Sequence, residues 1–436
     1  MKLQVTGFTA LLLLCCSCGA YVLDTAQTDL RTSFASGDYN STAQLIESFQ
    51  EKEVYKSKDD VLLYLEQGTV NHFAGNYQES SNYFTTAEDR IDDLFTKSVS
   101  RAVRSFVVND NTLAYDGEDY EDIYINVFKS LNYVHQNELQ SALVEARRVS
   151  YKLDRLNIKY NGLIESLSKA DSTNTDNDKW KAGKSNFQNS ALANYLSTIL
   201  FAKTNKPDDA RIEYTNLLKA FQGQPSIYTF QTPDKDDLKH LTRSETYNVL
   251  INAFSGRAPV KNQNDIRFYH EESDTYLKFS LPTLEIYKSQ VRSIEMVVND
   301  TDVYSIPLIE EMDIVAQEVY KVKEPIIYAR TMVRTVMKAV ASNKLKNAAK
   351  KENETLGLFV NALGKIAQET TEKADLRSWQ TMPGKAYANV ILLPPGEHNI
   401  NINYYNSVGT LLYTDRQTLP LTGNENLKLI ESIYWN

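Results

Sequence analysis

The sequence contains very little cysteine. Of its 436 residues only three are Cys, and all three lie between positions 15 and 18. The chain after Cys18 therefore offers no thiol for a disulfide, a thiolate zinc site or a cysteine nucleophile. Long basic runs are also missing and the net charge is −9. This argues against nucleic acid as a partner, because phosphate binding depends on grouped Lys and Arg.

Common catalytic motifs are missing as well. Neither GxSxG nor GxxxxGK[ST] occurs, and no His stands at metal-ligand spacing or in an HExxH motif. The five histidines are His72, His135, His240, His270 and His398. Adjacent carboxylates such as Glu310-Glu311 point apart in a helix or strand, which does not suit a shared acid–base pair. We expect no enzyme activity and no cofactor, although a glycosidase with carboxylates distant in sequence stays open.

What the sequence does have is a short apolar stretch near its start. Lys2 precedes an apolar run, Val5–Leu14, which is shorter than the ~20 residues needed to span a bilayer. The pattern resembles the signal of bacterial lipoproteins, in which a lipidated Cys becomes the first mature residue. We favour Cys18, because the small residue Ser17 precedes it, with Cys16 as the alternative. Residues 1–17 are then a signal peptide, although a plain cleaved signal with incidental cysteines stays open.

A lipid on Cys18 would determine where the protein resides. Two acyl chains on the cysteine, palmitate among them, hold a protein on a membrane without a spanning helix. The residue after Cys18 is Gly19 rather than Asp, which resembles the outer-membrane lipoproteins of bacteria with two membranes. The sequence therefore predicts a lipid-anchored protein of the cell envelope, at the outer membrane.

Residues 18–240 are predicted to form an array of helical hairpins. Leu62–Glu88 is the clearest case, because Gly68, Gly75 and Phe84 fall where a tetratricopeptide repeat places its crossing residue, its turn and its packing residue. Three weaker copies turn at Ser36–Tyr39, Gln136-Asn137 and Asn205–Pro207. Their period is irregular, so unrelated hairpins stay open. In either case neighbouring hairpins must stack, because a single hairpin cannot bury its own apolar face.

One segment of this region is strongly acidic. Residues 114–122 read AYDGEDYED. Carboxylates at this density suggest calcium, but an EF-hand with Gly117 at its sixth position would need ligands at Thr112 and Ala114. We therefore predict a solvated acidic loop that leads into a helix N-terminus.

Residues 241–436 are predicted to form an α+β domain with antiparallel strands. A helix is expected at Leu308–Val322, and Pro325 is expected to begin a separate long helix that ends near Lys351. Apolar Leu356–Ala367 suggests a packed helix, with a membrane-inserting hairpin as the alternative. The expected strands before the long helix are Tyr247–Phe254, Ile266–Tyr269, Tyr276–Leu281 and Ile294–Val298.

The C-terminal residues are expected to form one small antiparallel sheet with one wet face. His398–Tyr405 alternates strictly between apolar and polar positions, as a half-buried strand does. The expected strands are Ala386–Leu393, His398–Tyr405, Leu411–Tyr413 and Leu427–Tyr434.

The long helix carries a row of basic residues. Arg330, Arg334 and Lys338 recur every four residues and so share one side of the helix. Such a ridge suits an acidic partner, a lipid headgroup or a glycan carboxylate. The alternative is a solvated face, or pairing with carboxylates such as Glu310 and Asp375.

A second candidate cluster is Asp375, Arg377 and Trp379. Arg forks match carboxylate geometry, so this pair beside an indole would hold the C-terminal sheet onto the long helix. The alternative is a ligand cleft in which Trp379 stacks on a sugar or a peptide.

Six short segments, in the same order along the chain, resemble a family of bacterial lipoproteins of uncharacterised function whose N-terminal half is built of tetratricopeptide-like helical repeats. They are Tyr120-Glu121 with Leu131–Tyr133, Val144–Arg148, Gly256–Lys261, Ala329–Thr331, Ala374–Trp379 and Pro394–Gly396. The resemblance implies an envelope lipoprotein and supplies no catalytic residue.

The sequence thus predicts an α+β protein. A helical hairpin array is followed by a β-rich domain with one long helix and a C-terminal antiparallel sheet. The first functional hypothesis is a membrane-anchored scaffold that offers stacked helices to an envelope protein partner. The alternative is a carbohydrate- or peptidoglycan-binding module, including a carboxylate-dependent hydrolase.

Overall fold

The computed structural model describes residues 18–100, 110–170, 180–270, 275–341 and 373–436. Helices fill the N-terminal half and strands dominate the C-terminal half, which confirms the predicted α+β class. The expected signal peptide at 1–17 and the apolar stretch at 356–367 lie outside the described residues.

The N-terminal half consists of helices joined largely by short turns. The pairs α1–α2, α3–α4, α5–α6 and α8–α9 are the four predicted hairpins. The helices are α1 (Cys18–Ala35), α2 (Tyr39–Glu51), α3 (Asp60–Phe73), α4 (Tyr77–Ser100), α5 (Asp119–His135), α6 (Leu139–Lys159), α7 (Asn161–Ala170), α8 (Ala191–Lys203), α9 (Pro207–Gly223) and the short α10 (Lys235–Lys239).

The α3–α4 hairpin shows why the sequence folds this way. Gly75 turns the chain with a φ of +82°, a left-handed conformation that glycine adopts without steric cost. Gly68 lies against the ring of Phe84, and a Cβ at Gly68 would come within 2.5 Å of a ring carbon. Ser80 also donates a hydrogen bond of 2.7 Å to the Gly68 carbonyl. The two helices therefore pack at a distance that only glycine permits.

The other turns use asparagine. Asn137 joins α5 to α6 with a φ of +60°, and Asn205 joins α8 to α9 with a φ of +59°. Asparagine tolerates this region better than most residues because its short side chain bonds locally. Pro207 then occupies the start of α9, where its missing N–H has no helical partner in any case.

The strands of the C-terminal half form two four-stranded sheets and one hairpin. The sheets have the orders β10-β1-β7-β6 and β5-β4-β8-β9, and β2 pairs with β3. The strands are β1 (Val249–Arg257), β2 (Val260–His270), β3 (Thr275–Glu285), β4 (Ser293–Val298), β5 (Asp302–Ile306), β6 (Leu308–Glu310), β7 (Pro383–Ile391), β8 (Gly396–Tyr405), β9 (Leu411–Leu421) and β10 (Lys428–Tyr434).

The C-terminal strands do not form the single sheet expected from the sequence. β8 and β9 join β4 and β5, whereas β7 and β10 flank β1, and β10 runs parallel to β1. The alternation predicted for β8 is confirmed, because Ile400, Ile402 and Tyr404 are buried. Periodicity identified the strands, but it cannot tell which distant strand each one pairs with.

Strand β1 lies between two hydrophobic cores of the described residues. Its residues Leu250 and Phe254 belong to the hydrophobic core that the N-terminal helices form. Val249, Ile251 and Ala253, on the other face, belong to a second core shared with β4 and β8. The strand is therefore buried on both sides, which explains its nearly continuous apolar sequence.

The long helix α11 (Met312–Ala341) differs from the prediction. Pro325 was expected to begin this helix, but it lies inside it. The residues that were assigned to the start of a preceding helix form the short strand β6 instead. Pro325 removes one helical N–H, yet Val322 and Ile326 on either side are fully buried. Packing of these neighbours outweighs the local preference of proline for a helix start.

Among the helices that the structure describes, none combines the length and the apolar character needed to cross a membrane.

Candidate functional site

Residues 374–382, which we call the strap, cross the helices α3 and α5 without forming regular secondary structure. Ser378, Trp379 and Thr381 are almost completely buried there. The strap joins the region after α11 to strand β7. It therefore fixes the C-terminal half of the chain onto the helical half.

Two glutamates of the helices hold the backbone of the strap. The Trp379 N–H donates to Glu121 Oε1 at 2.7 Å, and the Gln380 N–H donates to Glu66 Oε1 at 2.7 Å. The Thr381 hydroxyl donates to Glu66 Oε2 at 2.6 Å. An extended segment has no internal partners for its N–H groups, so these carboxylates satisfy donors that are otherwise orphaned by burial.

We call the place where Glu66 and Glu121 hold the strap its seat. The indole of Trp379 is buried in this seat. Its Nε1 donates to the Thr69 hydroxyl at 2.8 Å, and its ring lies 5.7 Å from the rings of both Phe84 and Phe128. We expected this cluster to hold the C-terminal sheet onto the long helix. That expectation is wrong for Trp379, which packs on α3, α4 and α5.

Both glutamates of the seat are hard to ionise. Burial raises the pKa of Glu66 to about 7, although the hydrogen bonds from Thr381 and Gln380 oppose the shift. Burial, followed by the negative charge of Glu118, raises the pKa of Glu121 to about 7 against the effect of Lys261. Near neutral pH both carboxyls therefore keep a proton more readily than an exposed glutamate does.

Arg377 anchors the start of the strap. Its Nε and Nη2 donate to both oxygens of Asp375 at 2.9 and 2.7 Å, so the predicted pair is present. Its Nη1 donates to Asp59 Oδ1 at 2.9 Å. Burial alone would raise the pKa of Asp375, but Lys261 and Arg377 lower it to about 2. This is a fork-shaped, doubly hydrogen-bonded ion pair.

A cavity of about 420 Å³ lies beside the strap and is called the α11 cavity below. Its walls are the end of α4, residues 110–118, the β2–β3 hairpin, α11 and the first residues of the strap. Three of the candidate residues predicted from the sequence line this cavity, namely Arg330, Arg334 and Asp375.

Arg330 and Arg334 do not form a solvated ridge. Arg330 Nη2 donates to Asp110 Oδ1 at 3.0 Å, and Arg334 Nη1 donates to Asp110 Oδ2 at 3.1 Å. Arg334 is only 2% exposed. The expected partners Glu310 and Asp375 are replaced by Asp110, which is more than 200 residues distant in sequence. Lys338 lies on the same helix, but its side chain is outside the described part of the chain.

The acidic segment at 114–122 is not the solvated loop that we expected. Lys261 donates to Glu118 at 2.6 Å with both side chains buried, and Lys323 donates to Asp116 at 3.1 Å. The lysines come from β2 and α11. A buried carboxylate needs such a partner, and the partner is too distant in sequence to be recognised from the local pattern.

The charged groups of the cavity are arranged as ion pairs. Its carboxylates lie against Arg or Lys, and ion-paired carboxylates with a lowered pKa, such as Asp375, are poor general acids. Within the described ranges, no group of three or more His, Cys, Asp or Glu is arranged to hold a metal ion. The hydrolase alternative stays an untested prediction.

Sequence reasoning missed a third cluster, around Glu431. His135 Nε2 lies 2.7 Å and His72 Nε2 lies 3.1 Å from the same Glu431 oxygen. Burial opposes ionisation, but the two histidines hold the pKa of Glu431 well below its usual value. His135 also stacks on Tyr77 with ring centroids 4.0 Å apart. The residues are up to 359 positions apart, so no local pattern could identify them.

Helix α6 presents an apolar stripe to solvent, which we call the outer face of α6. Val144, Tyr151 and Ile158 are 54%, 57% and 62% exposed and follow one another at intervals of seven. Arg148 and Arg155 lie between them and are also exposed. The opposite side of α6 is buried against its neighbours.

Comparisons with protein-family models, with curated proteins and with solved structures returned no match for this chain. The resemblance to a lipoprotein family therefore stays a prediction. Cys18 is the first residue of α1, and its side chain is outside the described residues, so its lipidation stays a prediction too.

Proposed function

We propose that the protein is a lipid-anchored lipoprotein of the cell envelope that binds a partner protein through its helical hairpins. The apolar N-terminal run with Cys18 supports the anchor, and the charge of −9 without basic runs fits a partner other than nucleic acid. The exposed stripe on the outer face of α6 is the observation that carries the docking surface.

The face of the helical array at α3 and α5 is not the docking surface in this proposal. The strap already occupies it, with Trp379 and Thr381 buried and bonded to the helices. A partner that used this face would have to displace a fully buried tryptophan, which costs several kcal/mol (roughly 3–5).

The outer face of α6 has the features of a helix-binding surface. Single exposed apolar residues are common, but three at intervals of seven lie along the same side of the helix. Arg155 supplies positive charge beside the stripe, and so does Arg148, although Arg148 also contacts Glu88 at 3.5 Å and Glu145 at 3.4 Å. The partner in this proposal is an amphipathic helix with an apolar seam flanked by acidic residues, which complements both features.

The docking surface is tested by comparing two isoleucines that are exposed to a similar extent. Ile158→Glu should remove the partner from crosslinked material copurified from membranes, because it places a charge in the stripe. Ile212 on α9 is 58% exposed and lies outside the stripe, so Ile212→Glu should leave the partner bound. Identical partners for both variants would contradict the proposal.

The anchor is tested separately. Cys18→Ala should move the protein from the membrane fraction to the soluble fraction, and mass spectrometry of the mature wild-type protein should find acyl chains on its first residue. Cys16→Ala is the matched control and should leave fractionation unchanged. Density separation of the two membranes then reports on the outer-membrane prediction. Unchanged fractionation for both variants would refute the anchor.

A further inference from the structure

We propose that a second cavity, between the end of α5 and the connection from β9 to β10, binds a neutral sugar, and that His135 accepts a hydrogen bond from one of its hydroxyl groups. We call it the β10 cavity. Its walls are the last two residues of α5, Asn137 of the α5–α6 turn, and residues 422 and 424–429. The inference does not depend on the outer face of α6.

The β10 cavity has the size of a small-molecule site. Its volume of about 360 Å³ falls within the range of about 300–1,000 Å³ typical of ligand pockets. One wall belongs to the helical half of the chain and the other belongs to the sheets. No described residue lines both this cavity and the α11 cavity, so the two sites are separate.

A chain of hydrogen bonds behind the cavity fixes one proton on His72. The Ser80 hydroxyl donates to the Gly68 carbonyl at 2.7 Å, so it accepts from Asn132 Nδ2 at 2.9 Å. This orients the Asn132 amide with its Oδ1 toward His72, 2.7 Å from His72 Nδ1. Because a carbonyl oxygen only accepts, His72 Nδ1 carries a proton.

Glu431 balances the charge of His72. His72 Nε2 lies 3.1 Å from Glu431 Oε2, and both side chains are buried. Burial disfavours both charges, but the contact with Glu431 raises the pKa of His72 above its ordinary value. The pKa of Glu431 is held well below its ordinary value by the two histidines, against the effect of burial. The interior therefore contains one imidazolium and one carboxylate that compensate each other.

His135 then presents a hydrogen-bond acceptor to the cavity. Its Nε2 lies 2.7 Å from Glu431 Oε2, and an ionised carboxylate only accepts, so Nε2 carries a proton. Because His72 already balances Glu431, His135 needs no second proton, and its Nδ1 keeps a lone pair. No described residue bonds to this Nδ1. The ring is 13% exposed, lines the cavity and is stacked on Tyr77, so its Nδ1 edge is available to a ligand.

The other polar groups of the lining suit a neutral ligand. Asn137 and Asn424 are exposed at the cavity, and an amide both donates and accepts, as a sugar hydroxyl does. Among the described lining residues, Glu425 is already held by the N–H and the hydroxyl of Thr422, both at 2.8 Å. Lys428 carries the opposite charge on the same wall. A ligand with a net charge therefore gains no clear advantage.

Apolar residues complete the lining. Val134, Leu427 and Leu429 lie among the polar groups of the same walls. A sugar ring combines hydroxyl groups at its edge with C–H groups on its faces, and apolar surface favours contact with those faces. A sugar thus supplies the donor for His135, partners for the amides and a face for the aliphatic side chains.

Selective nitrogen-15 labelling of histidine in the full chain tests the acceptor directly. Near neutral pH the long-range N–H spectrum should show His135 with a proton on Nε2 and none on Nδ1. The signals missing in His135→Gln provide the assignment. Bound sugar should move the Nδ1 signal of His135 and leave His240 unchanged. A proton on Nδ1 in the free protein, or an Nδ1 signal that does not move with bound sugar, would overturn the proposal.

Titration of the full chain with maltose, cellobiose and N,N′-diacetylchitobiose measures the binding. At least one of these neutral disaccharides should bind saturably. Its permethylated form should bind at least about tenfold more weakly, because it has no O–H to donate to His135. The neutral peptide acetyl-trialanine amide is the control for ligand class. No saturable binding of any of the three sugars, or a peptide that binds as tightly as the best sugar, would overturn the proposal.

Matched variants locate the binding. His135→Gln keeps an N–H donor for Glu431 but removes Nδ1, and it should weaken the best sugar at least about tenfold. His240→Gln, outside the lining, should leave the affinity unchanged, and equal affinities for these two variants would overturn the proposal. Asn424→Ala should weaken binding severalfold, whereas Asn40→Ala, at an exposed position of α2, should not. This second pair decides in the same way if His135→Gln does not fold.

Discussion

Two groups of buried glutamates in neighbouring helices behave in opposite ways. Glu66 and Glu121, in the seat of the strap, have a pKa raised to about 7. Glu88 on α4 is also buried, but Lys152 at 2.6 Å and Lys129 at 2.9 Å lower its pKa to about 2 against the effect of burial. Glu66 and Glu121 are completely buried and Glu88 is 8% exposed, and only Glu88 is in direct contact with two lysines, whose charges outweigh the effect of burial.

The two groups therefore respond to pH in opposite directions. A carboxyl whose pKa is raised on folding stabilises the protein at low pH and loses that contribution as the pH rises through about 7. A carboxyl whose pKa is lowered stabilises the protein above about pH 4.5 and loses that contribution as the pH falls through about 2. Three substitutions test this difference between Glu88 and the two seat glutamates. They remove a strap residue, a lysine beside Glu88 or a seat carboxyl.

Removal of the strap's anchor should have the largest effect. Trp379→Ala empties a fully buried site and is expected to lower the free energy of unfolding by about 3–5 kcal/mol in urea titrations. It also admits water to the seat, which returns the pKa of Glu66 and Glu121 toward the usual range. Leu392→Ala, at a 58% exposed position just after β7, is the control and should change stability by less than about 1 kcal/mol.

Removal of the buried cation should come next. Lys129→Met leaves Glu88 and Glu145 with fewer positive partners, because Lys129 contacts both and is only 3% exposed. We expect a loss of about 3 kcal/mol at neutral pH, largest where both carboxyls are ionised. The surface pair of Lys169 and Glu165 is the reference, and Lys169→Met should cost less than about 0.5 kcal/mol. Equal costs for the two lysines would show that burial of the pair contributes nothing.

Removal of a seat carboxyl should have the smallest effect. The effect is visible mainly as a change in how steeply the free energy of unfolding falls with rising pH. Glu66→Gln cannot ionise, so the decline in stability from about pH 5 to about pH 8 should shrink by roughly 2 kcal/mol relative to the wild type. Glu88→Gln, the matched control, should keep this decline while lowering stability throughout the same range. Thermal unfolding monitored at closely spaced pH values separates the two. If the free energy of unfolding of Glu66→Gln depends on pH as steeply as that of the wild type, a group other than Glu66 causes the decline.

The sequence was sufficient for features that depend on near neighbours. Gly68 and Phe84, sixteen residues apart, define the packing of the α3–α4 hairpin, and the predicted turns at Asn137 and Asn205 adopt the positive φ that asparagine tolerates. The alternation in β8 likewise identified its buried face. Each of these patterns lies within one element or one hairpin.

The features that were missed depend on distant partners. The segment at 114–122 looked solvated because Lys261 and Lys323 lie about 140 and 200 residues further along the chain. The parallel pairing of β10 with β1 joins residues about 180 apart. Pro325 was misjudged for a different reason, since a local rule was outweighed by burial of its neighbours. No pattern in one sequence encodes such pairings.

The distance between the strap and its seat has a consequence for folding. Thr381 follows Glu66 by 315 residues, so when the helices around Glu66 and Glu121 form before the strap docks, the seat is empty and open to water. While the seat is wet, both glutamates have ordinary acidity and are charged, which keeps the exposed face hydrated. When the strap arrives, the loss of water neutralises them in part. The same two side chains thus protect the unfinished molecule and then line the interior of the finished one.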